Sequence, residues 1–278
     1  MRLEGPSETI RNAYPAEYAD LAVVVTDLGG TTVLMMLVAL SFWLGRRRQS
    51  ALLASHAVAG LGLILLLKAL FAMPRPPEEV FLVSMDDDPY GFPSGHAFAA
   101  VIVYGGLLVA YDRVRDPAAV AGVASVVVLI SLSRVVLGFH YLGDVIVGAA
   151  LGVAFLAVMF STVTEPRVGF TVGLLLAMLA LVVTGGVEET LLGVGAAVGG
   201  LIGTWRLKPL ASPRSRFEGG FLAVTGLFFL VGVRTIESWI GVHDVATVVV
   251  YAMLVAGIFL LPTALDRIDF ARVGGRTA

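Results

Sequence analysis

The sequence predicts an all-α protein, a polytopic transmembrane helical bundle of about nine spans. Of its 278 residues, 58% are hydrophobic and only 14% are charged, whereas soluble domains carry roughly 25% charged residues. The apolar residues come in blocks of roughly 16–22, and a bilayer-spanning helix needs about 20 residues. Each span should be a helix, because lipid offers the backbone no hydrogen-bond partner.

Nine apolar blocks define the predicted spans in chain order. They cover residues 24–44, 51–71, 96–111, 118–136, 144–163, 168–184, 189–205, 220–236 and 245–262. An eight-span arrangement, or a re-entrant element near residues 185–205, stays open. Residues 1–23 are expected to form an external arm or an interfacial helix, because they lack the basic start and apolar core of a signal peptide.

The distribution of Lys and Arg sets the orientation, because cytoplasmic loops are enriched in them. With the N-terminus outside, 13 of the 19 basic residues fall in inside loops, and six do not. These six are Arg2, Arg11, Lys68, Arg75, Arg134 and Arg234. We therefore expect a multi-pass protein of the cell membrane, with its C-terminus in the cytoplasm.

Charge and cysteine content exclude some classes of partner. The formal net charge is −2, so there is no strongly basic field to attract a nucleic acid. The chain has no cysteine, which excludes disulfides and thiolate metal sites. The acidic run Asp86–Asp88 is interpreted as a solvated loop, because consecutive carboxylates rarely all face one ion.

Three short segments, all at the outer membrane edge in this topology, carry the polar residues that suggest chemistry. The second span ends in residues 68–76, the third begins at 93–96, and the fourth leads through 133–144 into the fifth. Their cations would be costly at a membrane edge without a partner or a water-filled site. Asp27, near the outer end of the first span, could reach the same place.

The residues of these segments suit a group with several negative oxygens. Arg75 and Arg134 carry guanidinium groups that match phosphate oxygens, and Lys68 adds a point charge. Ser94 and Gly95 precede a helix start, where unpaired N–H groups favour an anion.

Two of the four histidines in the chain also lie in these segments. His140 and Asp144 are four residues apart, so a helical turn would place them on one face. The carboxylate would then fix the tautomer of the ring and leave its other nitrogen free to attack. His96 would donate a proton to the leaving oxygen.

Together, the segments resemble the three-part signature of the type 2 phosphatidic acid phosphatase (lipid phosphate phosphatase) superfamily. The matching patterns are Lys68-x6-Arg75-Pro76, Pro93-Ser94-Gly95-His96 and Ser133-Arg134-x5-His140-x3-Asp144. The resemblance covers about residues 20–165 and implies a membrane phosphatase core of about five spans at residues 24–165. The family's usual core has one more span before the lysine motif. Residues 166–278 are left as an additional transmembrane region, expected to stabilise the fold or select substrate without holding catalytic groups.

The resemblance also implies a role for each matching residue. His140 would be the nucleophile that forms a phosphohistidine, Asp144 its orienting partner, and His96 the general acid. The phosphate-binding set would be Lys68, Arg75, Ser94, Gly95 and Arg134. The family needs no metal, and no cofactor is expected.

We therefore expect hydrolysis of a lipid phosphomonoester, or of an isoprenoid or lipid diphosphate, at the outer membrane face. A lipid phosphotransferase using the same phosphohistidine stays open, as does a lipid-binding or transport protein. The expected partners are the lipid phosphate substrate and membrane lipids. A homo-oligomer also stays open, because the glycine-rich face of residues 193–203 could pack within the chain or between subunits.

Overall fold

A computed structural model of the chain describes residues 2–84, 89–205, 216–240 and 244–265. Within these ranges the protein is all-helical and has no strand, apart from an isolated bridge between Pro74 and Tyr90. This confirms the all-α prediction.

Twelve helices, numbered in chain order, make up the described part of the chain. They are α1 (Glu4–Ala13), α2 (Ala19–Asp27), α3 (Thr31–Leu44), α4 (Arg47–Phe71), α5 (Gly95–Ala100), α6 (Gly106–Ala110), α7 (Pro117–Val136), α8 (Leu142–Thr162), α9 (Pro166–Thr184), α10 (Glu188–Trp205), α11 (Arg216–Ile240) and α12 (Asp244–Leu265). A π-helical segment, Val101–Gly105, joins α5 to α6 without a break. Two short 3-10 turns lie at Ala16–Tyr18 and Glu78–Val80.

Each of the nine predicted spans coincides with one of these helices or with a run of consecutive ones. The first predicted span is interrupted after Asp27, between α2 and α3. Gly29 at this break packs so closely that an added Cβ would lie 2.6 Å from the side chain of Ile130. Six helical segments of the described chain are long and apolar enough to cross a membrane, and Gly95–Ala110 and Glu218–Phe229 are shorter apolar helices. The chain is a multi-pass membrane protein.

Local signals in the sequence explain where two of the helices start. Asp116 caps α7, where its carboxylate accepts the N–H groups of Ala118 and Ala119 at 3.1 and 3.3 Å. Pro117 and Pro166 occupy the first positions of α7 and α9, where proline's missing N–H has no helical partner to lose.

Helix α4 contacts both the N-terminal and the C-terminal halves of the bundle. It packs against α3, α5, α8, α9 and α10. The glycine-rich face of α10 lies inside the protein and packs along α12: a Cβ at Gly195 or Gly199 would collide with the backbone carbonyl of Val248 or Ala252. The C-terminal helices therefore form one bundle with α4.

We call the end of the bundle where α4 and α7 finish, and α5 and α8 begin, the site end. Helix α1 packs onto this end, since the Leu142 N–H donates to Ser7 Oγ at 2.8 Å. Ile10 packs against Ala97, Val135 and Val145, from α5, α7 and α8. The first residues of the chain are therefore held beside the three polar segments.

Candidate active site

The three polar segments meet at the site end, because each is the start or the end of a helix there. A cavity of about 600 Å³ opens between them. The predicted site residues that line it are Lys68, Arg75, Gly95, His96, Arg134 and His140. The other two, Ser94 and Asp144, are fully buried. Asp27 also lines the cavity, as its position in the sequence suggested.

His140 is held by both of its ring nitrogens. Nδ1 lies 2.6 Å from the carbonyl oxygen of Gly91. A carbonyl oxygen can only accept, so we assign the proton to Nδ1 and the lone pair to Nε2. Nε2 accepts from an N–H of Arg75 at 3.2 Å. Nε2, which carries the lone pair, therefore points at the Arg75 guanidinium, a group that could hold a phosphate.

The environment of His140 keeps its ring neutral. Its side chain is 1% exposed, and this burial lowers the pKa of His140 well below its usual 6.5. The positive charges of Arg134, Arg75 and Lys68 lower that pKa further, and the hydrogen bond to Gly91 opposes them. An unprotonated ring is the form that a nucleophile requires.

The structure does not have the expected arrangement, in which one helical turn brings the Asp144 carboxylate against a ring nitrogen of His140. His140 lies two residues before α8 begins, and its Nδ1 is 3.8 Å from Asp144 Oδ2, which is too long for a hydrogen bond. Nδ1 is directed at Gly91 instead, while the Asp144 carboxylate accepts the Tyr141 N–H at 2.9 Å. Asp144 faces the ring as a charge, not as a hydrogen-bond acceptor.

The main partner of Asp144 is Arg2, which we did not predict. Arg2 Nε donates to Oδ1 at 2.8 Å and Arg2 Nη2 donates to Oδ2 at 2.7 Å. The remaining nitrogen, Nη1, donates to the Pro74 carbonyl at 2.6 Å, and the guanidinium lies 4.6 Å from the centre of the Tyr141 ring. The Gly143 N–H returns a hydrogen bond to the Arg2 carbonyl at 2.9 Å.

Two glycines make room for Arg2. A Cβ at Gly143 would lie 2.8 Å from the Arg2 carbonyl oxygen, and one at Gly91 would lie 2.8 Å from Arg2 Nη2. At Gly143 the contact is with the Arg2 backbone, so glycine is needed there, whereas a Cβ at Gly91 would require the end of the Arg2 side chain to shift. One sequence signal pointed to a partner of this kind: a buried carboxylate needs a cation, and three of the six basic residues on that side lie outside the signature.

The last turn of α7 positions the segment that carries His140. The carbonyl of Arg134 accepts the N–H groups of Phe139 at 3.1 Å and His140 at 3.3 Å. Its guanidinium donates to Thr26 Oγ1 at 3.3 Å and lies 4.5 Å from the centre of the Phe139 ring. Arg75 donates to the Phe139 carbonyl at 3.1 Å. Both arginines are therefore fixed by the loop that also holds the histidine.

The start of α5 is fixed against α8. The Ser94 N–H donates to the Asp144 carbonyl at 3.0 Å, and the Ser94 carbonyl accepts the Phe98 N–H at 3.2 Å. Gly148 allows this approach, because its Cβ would lie 2.5 Å from the Ser94 carbonyl oxygen. Ser94 Oγ is buried and makes no hydrogen bond within the described chain, so it has acceptor and donor capacity left for a ligand.

The part of the chain that the structure describes contains no candidate metal site. No group of three or more His, Cys, Asp or Glu side chains could hold an ion there. Asp86, Asp87 and Asp88 lie outside the described residues. The positive charge facing the cavity comes from Lys68, Arg75 and Arg134.

Comparison with known proteins identifies one family. Residues 50–167 match the family model of the PAP2 superfamily. The match begins inside α4 and ends at the start of α9, so it includes all three polar segments and leaves out α1 to α3 and most of the C-terminal region. Searches of curated proteins and of solved structures found no match.

Proposed function

We propose that this protein hydrolyses a lipid phosphate or diphosphate through a phosphohistidine on His140. The proposal starts from the match of residues 50–167 to the PAP2 superfamily, which suggests phosphatase activity on phosphoesters. We place the reaction at the outer membrane face, on the distribution of Lys and Arg. We further propose that it proceeds without a metal ion.

One observation carries the mechanism. His140 donates from Nδ1 to the Gly91 carbonyl, which leaves the Nε2 lone pair directed at Arg75. A phosphoryl group entering the cavity would offer its own oxygen to that Arg75 N–H and bring phosphorus to Nε2. Lys68 and Arg134 line the same cavity and would neutralise the remaining phosphoryl oxygens.

The first step forms a nitrogen–phosphorus bond. His140 Nε2 attacks the phosphorus, and the bond from phosphorus to the lipid oxygen breaks. His96, which lines the cavity, gives its proton to that oxygen, so the product leaves as an alcohol, or as a monophosphate when the substrate is a diphosphate. The phosphorylated ring keeps its Nδ1 proton and becomes positive. The Gly91 carbonyl at 2.6 Å and the Asp144 carboxylate at 3.8 Å face this charge.

The second step returns the enzyme to its starting form. Water attacks the phosphorus while His96, now unprotonated, takes the water's proton. The nitrogen–phosphorus bond breaks, inorganic phosphate leaves, and Nε2 regains its lone pair. An alcohol in place of water would give phosphotransfer by the same bond changes.

The test is to trap the intermediate. Purified protein is mixed with substrate labelled in its phosphoryl group, quenched within a turnover, and analysed for a phosphoryl adduct that is acid-labile and base-stable. We expect the adduct on His140, and inorganic phosphate as the product in the absence of an alcohol.

Two variants make the experiment decisive. His140→Ala should lose both the adduct and turnover, whereas His56→Ala, which removes a buried histidine packed against Phe160, should keep both. A label on another residue, or full activity in His140→Ala, would overturn the mechanism. Label transfer to an added alcohol in preference to water would replace hydrolysis by phosphotransfer.

A further inference from the structure

The cavity does not end at the phosphate site but continues into the middle of the bundle. From α4 it is lined by Ala54, Ala57, Val58, Leu61, Ile64, Leu65 and Lys68. These positions follow helical spacing and form one face of α4. Lys68 stands at the top of this face, and every lining residue of α4 below it is apolar.

The length of this face gives the depth of the cavity. Ala54 and Lys68 are 14 residues apart, which corresponds to about 21 Å along a helix. One leaflet of the hydrocarbon core is about 15 Å thick, half of roughly 30 Å. The apolar part of the cavity, which we call the shaft, runs from Ala54 to Leu65 on α4, about 16.5 Å, and is therefore about as deep as one leaflet.

Three phenylalanines line the deep end of the shaft. Phe42, Phe170 and Phe259 come from α3, α9 and α12, and each is at most 1% exposed. Their rings pack edge to face, with centroids 5.0 Å apart for Phe42 and Phe259 and 5.7 Å apart for Phe170 and Phe259. We call these residues the phenylalanine floor.

Most of the floor comes from the chain beyond the family match. Phe170 and Phe259 follow residue 167, as do the further lining residues Leu192, Ala196, Val255 and Ile258. These side chains belong to the same hydrophobic core as Phe42, except for Leu192. The helices α9, α10 and α12 thus close the inner end of a cavity whose polar end belongs to the PAP2 segment.

We propose that the shaft holds the apolar chain of a single-chain lipid phosphate or diphosphate, and that the phenylalanine floor sets the chain length that the enzyme accepts. This inference rests on the proposed phosphatase function. A soluble phosphate ester would fill only the charged end and leave the apolar shaft unused. A long single chain buries its surface along α3 and α4 while its head group meets Arg75 and His140.

The experiment is a chain-length profile of phosphate release. Isoprenyl diphosphates from dimethylallyl to geranylgeranyl, and para-nitrophenyl phosphate as a substrate without a long chain, are compared by kcat/KM. For the unaltered protein we expect kcat/KM to rise with chain length until the floor is reached. In apolar pockets, kcat/KM changes by about tenfold or more when the substrate is one methylene longer or shorter.

Two kinds of variant near the deep end of the shaft should move the profile in opposite directions. Phe259→Ala removes part of the floor and should raise the ratio of long-chain to short-chain kcat/KM by about tenfold. Phe259→Leu, a milder change, should shift it in the same direction if the alanine variant fails to fold. Ala57→Leu fills the shaft and should lower the ratio.

A matched control separates specificity from general loss of packing. Phe155, on α8, packs against Phe98 of α5 and is not among the described residues that line the cavity, so Phe155→Ala should leave the ratio unchanged. If the floor and filling variants also leave it unchanged, the shaft proposal is wrong although the phosphatase proposal stands. If the unaltered protein releases phosphate from no substrate at all, the proposed function itself fails.

Discussion

Arg2 and Asp144 form a two-pronged ion pair, with Nε–Oδ1 and Nη2–Oδ2 distances of 2.8 and 2.7 Å. The carboxylate is fully buried and the arginine side chain is 16% exposed. The pair joins the N-terminal segment to the first turn of α8, directly behind His140. Asp144 also accepts the Ser94 N–H through its backbone carbonyl, and Arg2 Nη1 donates to the Pro74 carbonyl, so the pair together links all three polar segments to the residues just before α1.

Removing Arg2 should therefore destabilise the protein. Arg2→Ala would leave a buried carboxylate without its cation, and breaking such a pair costs about 3–5 kcal/mol. Because Arg2 is partly exposed, we expect a value near the lower end, measured as the change in free energy of unfolding in detergent. Arg2→Lys keeps the positive charge but cannot bind both carboxylate oxygens at once, so it should recover only part of the lost free energy of unfolding.

A double-mutant cycle tests the pairing itself. Arg2→Ala combined with Asp144→Asn should lower the free energy of unfolding by less than the sum of the two single changes, and strict additivity would contradict the pairing.

The proton donor can be tested through the leaving group. His96→Ala should slow the release of alkyl phosphates by about 10²–10⁴-fold, because a poor leaving group needs its oxygen protonated. An aryl phosphate such as para-nitrophenyl phosphate should lose much less. Equal losses on both substrates would argue that His96 binds the phosphate and does not donate the proton.

The lowered pKa of His140 predicts how activity depends on pH. Because the ring stays unprotonated well below pH 6.5, the rate of phosphohistidine formation in a single turnover should not fall as pH is lowered through about 6.5. A rate that dropped tenfold per pH unit just below about 6.5 would mean that the nucleophile titrates normally.

The same shift predicts how stability depends on pH. An unfolded chain takes up a proton on this histidine below pH about 6.5, and the folded protein does not. Stability linked to His140 is therefore fully present above that pH and is lost as pH falls below it. Between pH about 7.5 and about 5.5 the melting temperature of the unaltered protein should fall more than that of His140→Asn, whose amide does not titrate. Parallel curves would contradict this linkage.

Metal independence is a further prediction of the charge arrangement. Lys68, Arg75 and Arg134 supply the positive charge that a metal ion provides in other phosphatases. Phosphate release should therefore persist after prolonged treatment with excess chelator. Loss of activity that added magnesium restored would refute the prediction.

The sidedness of the site can be measured directly, since the chain has no cysteine. Glu79 lies in the exposed loop after α4, next to the site, and Arg115 lies in the exposed loop before α7 at the other end of the bundle. Glu79→Cys should react with an impermeant thiol reagent in intact cells, and Arg115→Cys should react only after lysis. The reverse pattern would invert the predicted orientation.

The helices, and the meeting of the motif residues around one cavity, could be predicted from the sequence because both depend on local patterns. Nine apolar blocks coincide with helical segments, and Arg75, His96 and Arg134 line one cavity as their positions at helix ends implied. What could not be predicted depends on residues far apart in the chain. The acceptor for His140 is a backbone carbonyl, at Gly91, and a backbone acceptor leaves no residue-type signal.

The shaft was also beyond prediction, for a different reason. Apolar residues that line a cavity and apolar residues that face lipid have the same composition, so Phe170 and Phe259 look like ordinary membrane residues in the sequence. Only the packing of α9, α10 and α12 against α3 and α4 distinguishes them. The glycine-rich face of α10, in contrast, was recognisable from its spacing, and the structure shows that it packs within the chain.

The contact between Arg2 and Asp144 also constrains the order in which the molecule is assembled. The two residues are 142 positions apart, and chains generally fold from the N-terminus as they are synthesised. Arg2 therefore leaves the ribosome long before its partner exists, and α1 cannot dock until α7 and α8 have been inserted. The site end of the protein is completed late in biogenesis, when a segment that was made early returns to a helix that was made after it.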